Sequence, residues 1–271
     1  MSDRGIRRQA EAYLPPAVHL EVARAVAERI KPDLPQLLDW YGAYAHGHVA
    51  RIAHDLAHVE RFASMDDLIV DIGAAPYLLT AALKEQGYRV EGIDIHPERF
   101  ASSIAAFGLA VRRCDVEVDR LPYETGAIDV LVMNEIFEHL RINPIHTFAE
   151  LNRVLKPGGR LMMSTPNGLS LTRLAALCLR GRPGPQIHEE FDKLDRLGHM
   201  GHVREYAVNE VLDFLRSAAF EPVAIVHRGR YALNGGSLRA LAADTFGRAL
   251  PQVRPYFTVV ARTSGQADPG T

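Results

Sequence analysis

Residues 68–95 read LIVDIGAAPYLLTAALKEQGYRVEGIDI. LIVDI is a short apolar run broken only by Asp71, the pattern of a strand buried on both faces in a parallel sheet. Gly73 provides a tight turn, LLTAAL reads as a helix start, and YRVEGIDI returns as a second strand closed by Asp94. Strand, helix and strand at this pitch form a βαβ unit, and the right-handed crossover rule fixes its hand. IDVLVM at 128–133 and GRLMMST at 159–165 repeat the theme, so the chain is expected to form a doubly wound α/β sheet.

Upstream, Val49, Ile52, Leu56, Val59 and Phe62 recur at spacings of three and four, which places them along one helical face. Helices are therefore expected over 17–62, broken at Pro32, Asp33 and Pro35, and residues 1–65 are expected to form a helical lid. Downstream of STPN (164–167) come the helix-like LSLTRLAALCLR and the polar passage GRPGPQIHEEFDKLDRLGHMGHV. That passage is too long for an ordinary connection, so 168–206 is read as an acceptor-side insert. A further sheet-covering helix follows over YAVNEVLDFLRSAAF, then strand-like EPVAIVH and YFTVVAR. The main domain is expected to span 66–262, and 263–271 to be a flexible tail.

Composition narrows the function. The 271 residues are 47% hydrophobic and 24% charged with a formal net charge of −2, which is globular and leaves no electrostatic excess for a phosphate backbone, so nucleic acid is not an expected partner. Cys114 and Cys178 lie far apart without neighbours at metal-ligand spacing, which implies neither a disulfide framework nor a zinc ribbon. The charged start MSDRGIRRQAEAY lacks the apolar core of a signal peptide and no run reaches bilayer length. A soluble cytoplasmic protein without membrane partners is expected.

Asp71 and Gly73 end a strand and open a helix, so the free backbone N–H groups there face whatever binds at the carboxyl edge of the sheet. Asp94, at the end of the second strand, is placed to accept hydrogen bonds from both hydroxyls of a ribose. Its competing reading is a helix N-cap.

With these stations in order, the sequence resembles the class I S-adenosylmethionine-dependent methyltransferases over about residues 66–262. LNRVLKPGGRLMMSTPN (151–167) is its most specific stretch: Leu151, Val154 and Leu155 pack one helix face, and Pro157 with two glycines turns the chain into the next strand. The resemblance implies a Rossmann-like seven-stranded sheet and S-adenosyl-L-methionine as cofactor. It further implies binding at Asp71, Gly73, Ala74, Asp94, Ile95, Asp115, Val116 and Asn134, with Asp115 receiving the adenine amino group and Val116 donating its N–H. Ala75 and Tyr77 stand where the family usually has glycine. Alanine there costs little, but Tyr77 must turn its ring elsewhere, for which the mouth of the cofactor site is one direction.

Rival readings are weighed on the same residues. A nicotinamide-dependent oxidoreductase would want G-x-G-x-x-G, which is absent from the chain; a non-catalytic cofactor-binding module is the other alternative. His54 and His58 share a helical face behind His46 and His48, and HEEFD (188–192) adds carboxylates, yet without H-E-x-x-H or cysteine no metal is expected. Glu138 and His139 are read as setting the helix after the fourth strand. Methyl transfer to a hydroxyl must release a proton, and His202 is the expected base, with His199 and His188 behind it. The expected activity is O-methylation of a small molecule, a saccharide or another secondary metabolite.

Overall fold

The computed structural model describes residues 5–182, 184, 187–197, 201–231 and 238–264. Its strands are β1 (Arg7–Ala10), β2 (Leu68–Ile72), β3 (Arg89–Asp94), β4 (Ala110–Arg113), β5 (Ile128–Asn134), β6 (Leu155–Pro166), β7 (Phe220–Arg228) and β8 (Tyr256–Thr263). They form one sheet in the order β1-β7-β8-β6-β5-β2-β3-β4. β8 is antiparallel to β6 and β7, and the other pairs are parallel. The helices are α1 (Ala17–Arg29), α2 (Leu38–Phe62), α3 (Leu78–Glu85), α4 (Ala101–Phe107), α5 (Pro144–Val154), α6 (Leu171–Arg180), α7 (Ile187–Leu197), α8 (Val208–Ser217) and α9 (Leu238–Ala249). None of the described helices is long and apolar enough to cross a membrane.

The doubly wound Rossmann-like class is the one expected, but the sheet has eight strands rather than seven. The extra strand, β1, comes from the segment expected to be wholly helical. Its residues, RRQA, are largely exposed and carry no strand pattern. It is held by backbone pairing to β7, Arg7 opposite Ala224 through Ala10 opposite His227, which no local preference of the side chains announces. A second difference lies in the long polar passage, where IHEEFDKLDRL forms α7.

Alternation along the strands divides the core. Ile69 and Val130 face Val26, Ala53, Leu56, Val59 and Leu83 of α1, α2 and α3. Val70, Leu131 and Met163 face Phe148 and Leu151 of α5 and Val211 and Leu215 of α8. In the KPGG turn the ladder passes from Ile128 opposite Leu155 to Val130 opposite Arg160, so 156–159 loop out, with Gly158 at φ 77°. A left-handed residue there is what glycine permits.

The helical segment 17–62 lies against the sheet through charge as well as apolar contact. Arg51, His54, Asp55 and His58 of α2 are all buried. Arg228 of β7 is fully buried and reaches Asp55 Oδ1 at 2.7 Å and Glu11 Oε1 at 3.3 Å. His54 Nδ1 and His58 Nε2 approach the same Glu11 oxygen at 3.2 and 3.1 Å. The helical His pair thus faces a carboxylate from just beyond β1, with a guanidinium beside it.

Candidate active site

The chain leaves β2 toward β3 and β4, then returns to lay β5 on the other side of β2. Such a switch point opens a crevice at the carboxyl ends of the strands, and Asp71, Gly73 and Asn134 stand there. Gly73 sits at φ 67°, and a Cβ on it would lie 2.2 Å from Ile136 Cδ1. Ala74 is tied by its N–H to the Ile93 carbonyl at 2.9 Å. Asp71 accepts from Thr80 Oγ1 at 2.7 Å, and burial pushes its carboxyl up to about 7 despite that bond.

Asp94 accepts from Ala75 N at 3.1 Å and His96 N at 2.8 Å. It therefore clamps the two loops together, and a carboxylate with about four acceptor sites retains capacity for two hydroxyls. Burial is the larger influence on it and raises its carboxyl above the usual range. Ile95 beside it is 44% exposed, an apolar surface open to a ligand. After β4, Asp115 Oδ1 accepts from Glu117 N at 3.0 Å while its own N–H donates to Asp119 Oδ2 at 2.8 Å. The Val116 carbonyl accepts from Thr147 Oγ1 at 3.0 Å. Both Asp115 and Val116 are half-buried.

Tyr77 takes a different course from the one considered. It adopts φ 69° and is fully buried, its ring 5.9 Å edge-on from Phe100, in the apolar layer under α2 and α3 rather than across the mouth of the site.

Two site residues escaped the sequence reading. Arg51 and Asp55 of α2 line a cavity with Tyr44, Asp71, Gly73, Ala74 and Asn134. Arg51 Nη2 donates to Tyr44 Oη at 2.6 Å, but Arg51 Nε and Asp55 Oδ2 are buried without hydrogen-bond partners. The two side chains are ion-paired, Arg51 Nη1 at 3.9 Å from Asp55 Oδ2 and Asp55 Oδ1 at 2.7 Å from Arg228 Nη1, yet each leaves one buried atom toward this space whose hydrogen bond a ligand could complete. The available signal was a cluster of charged residues on the buried side of an otherwise apolar helix. In this arrangement the cavity holds about 30 Å³, room for roughly one water.

A much larger cavity, about 990 Å³, lies on the other side of the Tyr44 and His48 stack, lined by Tyr41, His46, His48, Arg230 and Tyr256 among others. His48 Nδ1 lies 2.8 Å from the Tyr44 carbonyl, so its ring is a wall of this cavity.

His202 does not line it. His202 Nδ1 stands 3.0 Å from Glu205 Oε1, and Nε2 stands 4.0 Å from Glu138 Oε1. Arg173 pairs with Glu205 from α6; burial alone would raise Glu205, and the bonds from His202 and Arg173 outweigh it and hold it below the usual range. The His139 ring is 5.0 Å from that of His202. Glu138 is buried, its Oε2 accepting from Thr165 Oγ1 at 2.9 Å and its carbonyl from Val203 N at 2.8 Å. It thus binds β6 and the 201–206 segment, beyond setting the helix after β5. Glu190 of the HEEFD stretch accepts from His202 N at 2.9 Å and so fixes the same segment, while His188 is exposed on α7. His199 lies outside the described residues.

Residues 70–163 match the family described as "Methyltransferase domain". Over 105 residues the chain is 32% identical to a ubiquinone biosynthesis O-methyltransferase of Nitrosococcus oceani, covering 36% of this chain and 43% of that protein; it thus spans less than half the length of the curated relative it matches. A solved S-adenosylmethionine-dependent methyltransferase from Mesorhizobium loti superposes with a TM-score of 0.54 at 19% identity, over 77% of this chain and 97% of its own. Geranyl diphosphate C-methyltransferase from Streptomyces coelicolor superposes with a TM-score of 0.51 at 18% identity, over 95% and 90%. The two structures share the fold, and the domain match coincides with the strands that build the Asp71–Asp94–Asn134 crevice. Residues 70–163 thus carry a match to a methyltransferase domain, and the chain shares the fold of solved S-adenosylmethionine-dependent methyltransferases.

Proposed function

We propose that the protein transfers the methyl group of S-adenosylmethionine to a hydroxyl oxygen of a small molecule, on a saccharide or another secondary metabolite. The observation that carries this reading is that Arg51 Nε and Asp55 Oδ2, two buried atoms without hydrogen bonds, belong to residues lining one cavity with Asp71 and Gly73. A buried cation and buried carboxylates around one small space suit a zwitterionic amino-acid end, its carboxylate on Arg51 and its ammonium on Asp55 or Asp71. A nicotinamide dinucleotide has no such end. Asp94 holds the ribose hydroxyls, with Ile95 against the adenine and Asp115 and Val116 at its polar edge, and Ala74 and Asn134 close the amino-acid side.

When bound, the cofactor supplies an electrophilic methyl on a sulfonium. The acceptor oxygen forms the new C–O bond, the C–S bond breaks with its electron pair left on sulfur, and the hydroxyl proton departs. The chain's part is alignment, exclusion of water and handling of that proton, the last assigned to His202. The cavity beside Asp71 has room for roughly one water, so side chains that line it, Arg51 and Asp55 among them, must shift for the amino-acid end to enter. The relative's name as an O-methyltransferase favours oxygen as the methylated atom.

Incubation of the whole chain with methyl-labelled S-adenosylmethionine and a cell-extract metabolite pool is expected to put label into a low-molecular-weight product. S-adenosylhomocysteine at about a hundred times its dissociation constant should stabilise the fold by roughly 2.7 kcal/mol. A thermal shift with NAD and none with S-adenosylhomocysteine would overturn the assignment.

A further inference from the structure

We propose that Glu138, His139 and His202 form a binding site for a divalent first-row metal cation at the carboxyl edge of β5, where the acceptor hydroxyl would be ligated. One donor atom from each of the three lies within 4.8 Å of the other two. Bonds of about 2.0–2.2 Å to a shared cation at tetrahedral angles set donors about 3.3–3.6 Å apart, so the set must contract by about 1 Å at its widest. His202 Nε2 and Glu138 Oε1, at 4.0 Å, are within about half an ångström of that separation.

Glu138 Oε1 is the independent observation. It is buried and has no hydrogen-bond partner, while Thr165 occupies the other oxygen and fixes the carboxylate's direction. Burial, and then the Glu135 carboxylate beside it, disfavour its charge strongly, a cost that a cation would remove. Both rings are oriented from behind: His202 Nδ1 faces Glu205, and His139 Nδ1 lies 3.2 Å from the Gly201 carbonyl. With hydrogen on Nδ1 in each, Nε2 carries the lone pair, the arrangement in which a carboxylate or carbonyl supports a metal-bound imidazole. Two imidazoles and one carboxylate suit zinc or manganese better than calcium. The sequence reading weighed the His pair on α2, expected no metal, and missed this cluster, because His202 joins Glu138 and His139 only across the 168–206 segment.

The use of the cation rests on the methyl-transfer reading. His202 then serves as a ligand rather than as a free base, and the ligated hydroxyl becomes more acidic, its proton leaving to water. Binding itself does not depend on that reading. The test is titration of the full chain, stripped with a chelator, with Mn²⁺ followed by electron paramagnetic resonance and with Zn²⁺ by calorimetry, alongside S-adenosylhomocysteine binding. One site is expected, weakened at least about tenfold in Glu138→Gln and His202→Gln and unchanged in His54→Gln. Glu205→Gln should weaken it about 10- to 100-fold. Should Glu138→Gln fail to fold, the half-exposed His202 decides through His202→Gln. Binding of S-adenosylhomocysteine without either metal, or equal metal affinity in His202→Gln, overturns the cation site and leaves methyl transfer standing. Metal binding without S-adenosylhomocysteine binding does the reverse.

Discussion

Arg228 of β7 and Asp55 of α2 meet at 2.7 Å with both side chains withdrawn from solvent, 0% and 2% exposed. The pair fastens the helical segment to the far half of the sheet and holds Asp55 at the edge of the cofactor crevice. Removing one partner leaves an uncompensated buried charge, so Arg228→Met is expected to lower unfolding free energy by about 3–5 kcal/mol. Urea unfolding of Arg228→Met, Asp55→Asn and the double variant checks this. Additive losses would mean the two charges do not act on each other.

Gly73 tolerates φ 67° and the approach of Ile136 because it has no Cβ. Gly73→Ala should therefore lose roughly 1–3 kcal/mol from left-handed backbone and overpacking together. Shortening Ile136 to alanine in the same chain should recover the steric part and not the backbone part. Equal stability of Gly73→Ala and the wild type would show that the β2–α3 loop relaxes freely.

Asp94→Ala is expected to cost roughly 2–4 kcal/mol of S-adenosylhomocysteine affinity, by loss of charge-assisted bonds to two hydroxyls. The same change frees the N–H groups of Ala75 and His96, so a small fall in melting temperature accompanies it. Calorimetric titration separates the two effects. A lower melting temperature with unchanged affinity would make Asp94 a loop clamp alone.

Asp71 gives a pH dependence with a definite sign. Burial raises its folded carboxyl to about 7, whereas in the unfolded chain it ionises near about 4. Its protonated form favours folding, so the stability it contributes is fully present below about pH 4 and is lost as pH rises through about 7. Relative to Asp71→Asn, the wild type in the absence of cofactor should lose stability between about pH 5 and pH 8. Denaturant midpoints of both proteins at the two pH values test it, and a constant difference would refute the buried ionisation.

Much of the fold was written locally. The run from Leu68 to Ile95 and the stretch from Leu151 to Asn167 carry apolar periods and turn residues whose preferences act over a few neighbours, and both became the strands and helices they implied. Strand ends follow from strands, so Asp71 and Asp94 could be placed at one edge of the sheet from the pattern alone, and the resemblance to the methyltransferases added Asn134. β1 could not be foreseen, because RRQA has no strand pattern and pairs only when β7 offers its free edge. Nor could the partners of the charged residues on α2. A helix period shows which residues face inward, but Arg51, Asp55, His54 and His58 were decided by what the chain brought against them: Glu11 from one end and Arg228 from the other. His202 was singled out as a lone base. The closed chain set it between Glu205 and Glu138 with His139 alongside, since the direction of a side chain's electrostatic field depends on neighbours distant in sequence, and those exist only once the sheet and its insert have packed.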